Sequence, residues 1–338
     1  MLPTRMRGAA FAFLGLAIGM NPLATHAQDM EVIIALPAPT LTFTSHFVAE
    51  DGGFFEKEGV KVQTRNLVGV AATNAMLAGS VDFTHGSGPT FLRAASQGQR
   101  VLAIANVVDK LMVETVLRKD VAERLGITEK TPITERAHKL KGLTIAIQGV
   151  GSIIHAWTRL LADKGGLDIE NDVRITPMDP PAMLPALASK AIDGYSTAMP
   201  FTTQAVLQGQ AVMLASGVSD VPDVLPIAYN LIYTRAGVCE QKREMCRRVA
   251  RAYAGAARMI QERPDEVFET ILAKRFAKID PDLLRAAWKL TKAAHARDIR
   301  VTNEQLDNSQ KISIYAKLLE PKDVVKNYAG LFTDEFVK

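Results

Sequence analysis

From residue 32 onward, short apolar runs alternate with longer amphipathic ones, the rhythm of strands and helices taking turns along the chain. Residues 32–36, 60–67, 82–85 and 101–107 read as strands. Between them the spacing predicts helices over about 45–56, 71–77 and 89–97, the last opening on Pro89, whose missing N–H costs nothing in a first turn. Strands separated by helices pair in parallel, so the pattern predicts a mostly parallel sheet covered by helices.

A second series begins after a strand near 112–117. Residues 144–147 read as a buried strand, Gly149 and Gly151 as a turn, and Ser152 as the cap of a helix that stops at Gly165 and Gly166. The same grammar continues through 173–175, 183–189, 192–196, 200–208 and 212–215, and residues 227–234 read as a returning strand. Beyond Cys239 the pattern is helical, over 247–262, 264–276, 281–295 and 302–319, with Trp288 on an apolar face. This half is expected to pack back on the first series, so that two strands cross between the lobes as a hinge.

The amino end changes the picture of where this happens. Arg5 and Arg7 precede an apolar run over 9–18, and small residues at 24–27 precede Gln28, the layout of a cleaved signal peptide over residues 1–27. The run falls short of the ~20 residues a membrane span needs. Cleavage would leave 311 of the 338 residues. That is more than one core accommodates, so two lobes are expected: 28–113 with 230–338, and 114–229. The net charge of +4 falls to +2 without the leader, which gives a nucleic-acid role no support. The basic stretch KREMCRR over 242–248 reads as a solvated helix face. Cys239 and Cys246 are the only cysteines. Inside one straight helix they would stand ~10 Å apart, too far to bridge, but Cys239 follows Gly237 at a helix entrance. A disulfide and two separate thiols both remain open.

Four segments, in order, carry a resemblance: FVAEDGGFFEKEGVKV (47–62), LAGSVDFTHGSGPTFL (77–92), LKGLTIAIQGVGS (140–152) and ALASKAIDGYSTAMPFTTQA (186–205). Together they resemble the periplasmic substrate-binding proteins that serve ABC importers for nitrate, taurine, alkanesulfonates and thiamine-pyrimidine precursors. The resemblance implies an α/β fold, a two-lobed type II periplasmic-binding-protein clamshell that holds its ligand between the lobes. It also implies a small-molecule ligand, a monomer in the periplasm, and a membrane permease driven by a cytoplasmic ATPase. Neither a cofactor nor a metal is expected.

Ligands of open α/β sheets sit at the carboxyl ends of the strands. The cleft loops are therefore expected at 37–45, 85–89, 106–109, 148–153 and 198–201, with Pro39, Thr40, Ser45, His85, Gly86, Ser87, Asn106, Gly149, Val150, Gly151, Ser152, Ile153, Met199 and Phe201 as candidate ligand-binding residues. The GVGS turn offers a helix amino end as an anion seat, or an ordinary capped start. HGSGP offers Ser87, a ring nitrogen and a backbone nest, or a plain strand-to-helix turn whose histidine is already satisfied. Ile153, Met199 and Phe201 would supply apolar walls. No Lys or Arg falls in these loops, although Arg65 or Arg93 could reach in, and this favours an organic ligand with an apolar body over nitrate.

Some proteins of the resembled fold are enzymes, among them a sulfinate desulfinase with a cleft cysteine and a thiamine-pyrimidine synthase with a Cys-rich iron motif. This chain has neither feature, so a receptor is expected, with a desulfinase-like or decarboxylase-like enzyme as the alternative. A sensor domain is a third reading. His46, His85 and His155 do not have the spacing of a zinc hydrolase.

Overall fold

The structure is a computed structural model that describes residues 1–2, 30–128, 130–221, 224–315 and 319–337. The expected leader falls almost entirely on residues 3–29, outside the described residues.

Among the described residues, ten strands form two five-stranded sheets. They are β1 (Met30–Leu36), β2 (Val60–Asn66), β3 (Phe83–Gly86), β4 (Val101–Asn106), β5 (Glu114–Arg118), β6 (Thr144–Ile147), β7 (Arg174–Pro177), β8 (Gly194–Thr197), β9 (Ala211–Ser216) and β10 (Leu231–Arg235). The first sheet runs β2-β1-β3-β10-β4 and the second β7-β6-β8-β5-β9. In each, one strand lies antiparallel between two neighbours: β10 between β3 and β4, and β5 between β8 and β9. These are the strands that follow the crossings between lobes, so each arrives from the opposite direction. The edge strand β2 (VKVQTRN) keeps Val60 buried and turns Lys61, Gln63 and Arg65 to solvent, which discourages a further strand from adding there.

The helix expected over 45–56 is two helices, Thr44–Asp51 and Phe54–Lys57. Gly53 breaks it with a left-handed φ of 73°. The returning strand begins at Leu231 rather than 227, because the residues before it belong to the crossing. There Val107 N–H donates to Asn230 O (2.9 Å), Tyr229 N–H to Val108 O (3.1 Å) and Ile227 N–H to Asp109 O (2.9 Å). A third segment braces the crossing: Ala296 N–H donates to Val107 O (3.0 Å) and Asn106 N–H to Ile299 O (2.7 Å).

The 20-residue helix Arg243–Glu262 buries Val249, Tyr253, Ala256 and Ile260 and packs on Thr44–Asp51 in the first lobe. The helix expected over 264–276 winds more loosely in its middle, with a π turn at Phe268–Leu272. Helices Pro281–Thr291 and Asn303–Tyr315 also touch second-lobe helices, Phe201–Leu207 and Ile153–Lys164 respectively, so the carboxyl half leans on both lobes. Cys239 and Cys246 form a disulfide, with Cα atoms 5.6 Å apart. The bridge is possible because Cys239 sits in the short helical turn Val238–Gln241, before Arg243–Glu262 begins. No helix among the described residues is long and apolar enough to cross a membrane.

Candidate functional site between the lobes

A cavity of about 50 Å³ lies where the carboxyl ends of the strands of both sheets face each other. The first lobe contributes Pro37, Thr40, Thr42, Phe43, Val68, Gly69, His85, Gly86, Ser87 and Thr90. The second contributes Gln148, Ser152, Ile153, Ile154 and Ala198, and the crossing contributes Tyr229 and Asn230. No lining residue is Lys, Arg, Asp or Glu.

Of the residues singled out from sequence, Thr40, His85, Gly86, Ser87, Ser152 and Ile153 line this cavity. Gly149, Val150 and Gly151 form its rim instead. A Cβ on Gly149 would stand 3.1 Å from Val68 Cγ1, and one on Gly69 would stand 3.2 Å from Val150 O, so the two lips touch. Thr90 Oγ1 donates to Gly151 O (3.3 Å) and Leu41 N–H to Met199 O (3.0 Å), also from lobe to lobe.

The other expected residues lie off the cavity wall. Pro39 points to solvent. Ser45 is buried with its Oγ 3.4 Å from His295 Nδ1. Asn106 faces the crossing, donating to Ile227 O (3.2 Å). Met199 and Phe201 belong to the core cluster. Arg65 and Arg93 are exposed, and neither lines the cavity. Val68, Gly69, Thr90, Ile154, Tyr229 and Asn230 line it from outside the expected loops. The LVGV run (67–70) offered one signal: its Gly69 has φ 58° and ψ −128°, a conformation that only glycine adopts comfortably.

Two serine-capped helices open onto the cavity, with different donors left over. Ser87 caps Gly88–Ser96 by accepting from Thr90 N–H (3.3 Å). Gly88 N–H is spent on Ala228 O (2.7 Å), Phe91 N–H on Ser87 O (2.9 Å), and Pro89 has none. Ser152 caps Ile153–Lys164 by accepting from His155 N–H (3.3 Å), while its hydroxyl donates to Gly149 O (2.7 Å). Gly151 N–H is spent on His155 Nδ1 (3.0 Å). Ile153 and Ile154 N–H have no protein acceptor among the described residues, the usual state of a helix's first two donors. Gln148 Nε2 is buried without a partner, another unspent donor in the wall.

His85 has no nitrogen to offer a ligand. Asn230 Nδ2 donates to Thr42 O (3.3 Å), so its Oδ1 accepts from His85 Nδ1–H (3.0 Å). His85 Nε2 then accepts from the Tyr253 hydroxyl (2.8 Å). Burial pushes His85 down to about 4, with the Asn230 bond acting in the opposite direction. The ring is a neutral, satisfied part of the wall.

Two α/β lobes joined by paired crossing segments, with a cavity between their sheet ends, define the two-lobed fold of solute-binding proteins. The chain belongs to the NMT1-like family, whose model matches residues 33–275. It is similar in structure to a Bordetella bronchiseptica protein (TM-score 0.76, 20% identity, 90% of this chain and 95% of that one). It is also similar to the alkanesulfonate-binding protein SsuA of Xanthomonas axonopodis pv. citri, solved with MOPS (TM-score 0.69, 18% identity, 91% and 99%). At these identities the likeness speaks for the fold. The chain spans about half the length of the curated relatives it matches, among them a Brucella abortus protein designated only a candidate binding protein, 27% identical over 194 residues (56% of this chain, 54% of that protein).

Proposed function

We propose that the protein is a periplasmic solute-binding receptor of an ABC importer. It closes on a small organic compound and hands it, as a single chain, to a permease powered by a cytoplasmic ATPase. The observation that carries this reading is the cavity between the lobes, with unspent donors on one lobe and apolar walls on both. Ile153 N–H, Ile154 N–H and Gln148 Nε2 suit an acceptor-rich head such as a carboxylate or sulfonate. A helix amino end, with its free N–H groups aimed outward, favours an anion by about 0.3–1 kcal/mol at exposed sites and by up to ~2 kcal/mol when partly buried. Phe43, Pro37, Val68 and Ala198 suit an apolar body of a few heavy atoms. Fold-mates that bind solutes support the reading, as does the leader pattern for its compartment.

Binding is favoured over the enzyme reading because the nucleophiles are committed elsewhere. Both cysteines are paired, and Ser87 and Ser152 are caps. A thermal-shift screen of the chain from residue 28 against sulfonates, aromatic carboxylates, pyrimidines, nitrate and taurine tests this. A dose-dependent rise for one class, with the compound recovered unchanged, is expected. Recovery of a converted compound would replace the receptor with an enzyme.

A further inference from the structure

One wall of the cavity continues as a polar chain through the core of the first lobe. His85 Nε2 lies 2.8 Å from Tyr253 OH, and the same oxygen lies 2.8 Å from His46 Nδ1. His46 Nε2 lies 3.0 Å from Thr64 Oγ1, on the exposed edge strand, and Thr64 Oγ1 lies 3.5 Å from Glu50 Oε1. His46, His85 and Tyr253 are buried, whereas Thr64 meets solvent. We propose that this chain is a proton relay from solvent at Thr64 to the cavity at His85, through which the His46–His85 pair takes up one proton as a unit and presents positive charge to an anionic ligand. For its ligand the inference rests on the receptor reading; the relay does not.

The hydrogen bonds can run in either of two directions, and both leave every group satisfied. With the pair neutral, Thr64 O–H donates to His46 Nε2, His46 Nδ1–H to Tyr253 O, and Tyr253 O–H to His85 Nε2. A proton arriving at Thr64 Oγ1 displaces that oxygen's own proton onto His46 Nε2. His46 Nδ1–H then passes to Tyr253 O, and the Tyr253 proton passes to His85 Nε2. Each oxygen ends with one proton and His85 carries the charge. Now His85 Nε2–H donates to Tyr253 O, Tyr253 O–H to His46 Nδ1, His46 Nε2–H to Thr64 Oγ1, and Thr64 O–H turns to Glu50. His85 Nδ1–H keeps Asn230 throughout. No heavy atom has to move.

A second proton has no such place. His46 Nδ1 and His85 Nε2 are 3.3 Å apart and face one oxygen, so two N–H groups would oppose each other there. The groups around the pair set where the charge sits. Besides Thr64, Tyr253 and Asn230, His46 feels Arg275, which is paired with Glu50 and Asp51 and opposes a cation on His46. The rings of Phe43, Phe47 and Phe55 complete the surroundings. The charge is thus driven to the cavity end, where no lining side chain is charged and a buried anion lacks a counter-ion.

Ring-nitrogen NMR of the full chain, titrated without ligand from about pH 7 to about pH 4, tests the relay. The resonances of His46 and His85 are expected to move in one shared step, and Glu50→Gln, which removes the carboxylate beside Thr64, to shift that step to lower pH. Two separate steps, or none before acid unfolding, would overturn it. With acetate or methanesulfonate bound, the step moves to higher pH, and affinity rises up to about tenfold per unit fall in pH across it. An anion that binds by calorimetry but leaves the step unmoved overturns the link to the cavity. If neither anion binds, that result counts against the receptor reading, and the ligand-free titration still decides the relay.

Discussion

The two lobes share a sheet order, an inserted antiparallel strand, a register irregularity in that strand and a serine-capped helix at the cavity, yet they contribute opposite things to it. At the first lobe's helix mouth every donor is consumed within the protein, one of them by Ala228 from far along the chain. The second lobe's mouth leaves Ile153 and Ile154 N–H unspent. The cores differ in the same sense. Behind the first lobe's wall lie two histidines and a tyrosine. Behind the second, Trp157 Nε1 donates to Thr115 Oγ1 (2.9 Å), which meets Ser196 Oγ (2.8 Å), itself an acceptor for Thr158 (3.1 Å), and none of these groups titrates near neutral pH. On the readings proposed above, matching topology divides the labour: the first lobe carries the relay to solvent and the second receives the ligand's head.

Acid should break this symmetry most strongly. Burial lowers His46, His85 and His295 in the first lobe and its supporting helices, the latter two to about 4, against His155 alone in the second. Unfolded histidines take up protons below about pH 6.5, while His85 and His295 stay neutral until about pH 4 and burial holds His46 down in the same direction. Their contribution is therefore complete above pH 6.5 and is lost as pH falls toward 4, on the order of 3 kcal/mol for a fully buried histidine. The two tryptophans divide the readout, Trp288 beside His295 and Trp157 in the second core. With each replaced in turn by Phe, fluorescence should report acid loss around Trp288 at a higher pH than around Trp157. Coincident loss would mean that the lobes fail as one.

Binding should separate the two mouths next. Ser152→Tyr fills the cavity at the receiving helix and should weaken the compound found by the screen by roughly tenfold to a hundredfold. Ser87→Ala removes the capping hydroxyl from the opposite wall and should cost about 1 kcal/mol of stability, with a much smaller loss of affinity than Ser152→Tyr. Calorimetry showing equal affinity losses would sink the division of labour. The smallest effect is expected at the rim, where Gly149→Ala places a methyl group against Val68 and should lower affinity a few-fold while leaving the melting temperature of the free protein in place.

Much of the architecture was legible in the hydrophobic pattern, because a strand buried on both faces and a helix with one apolar stripe have different periods. Where the pattern misplaced boundaries, a local cause is visible, as with left-handed Gly53 splitting one expected helix. The cavity was legible as loops more than as residues. Pro37, Thr42, Phe43, Gln148 and Ala198 fall inside the expected loops although they were not singled out. Tyr229 and Asn230 were hidden inside what reads as a strand. The satisfied state of His85 was beyond the sequence, since its partners Asn230 and Tyr253 lie 145 and 168 residues away. Periodicity carries no information about contacts at that range.

The placement of β10 has a consequence for the order of assembly. Every strand of the second sheet lies within residues 114–216, so that sheet needs nothing from the rest of the chain to be whole. The first sheet has the place next to its edge strand β4 filled by residues 231–235, and until they arrive β3 and β4 have no strand between them. The sheet whose strands are synthesised first is the one that can be completed only last.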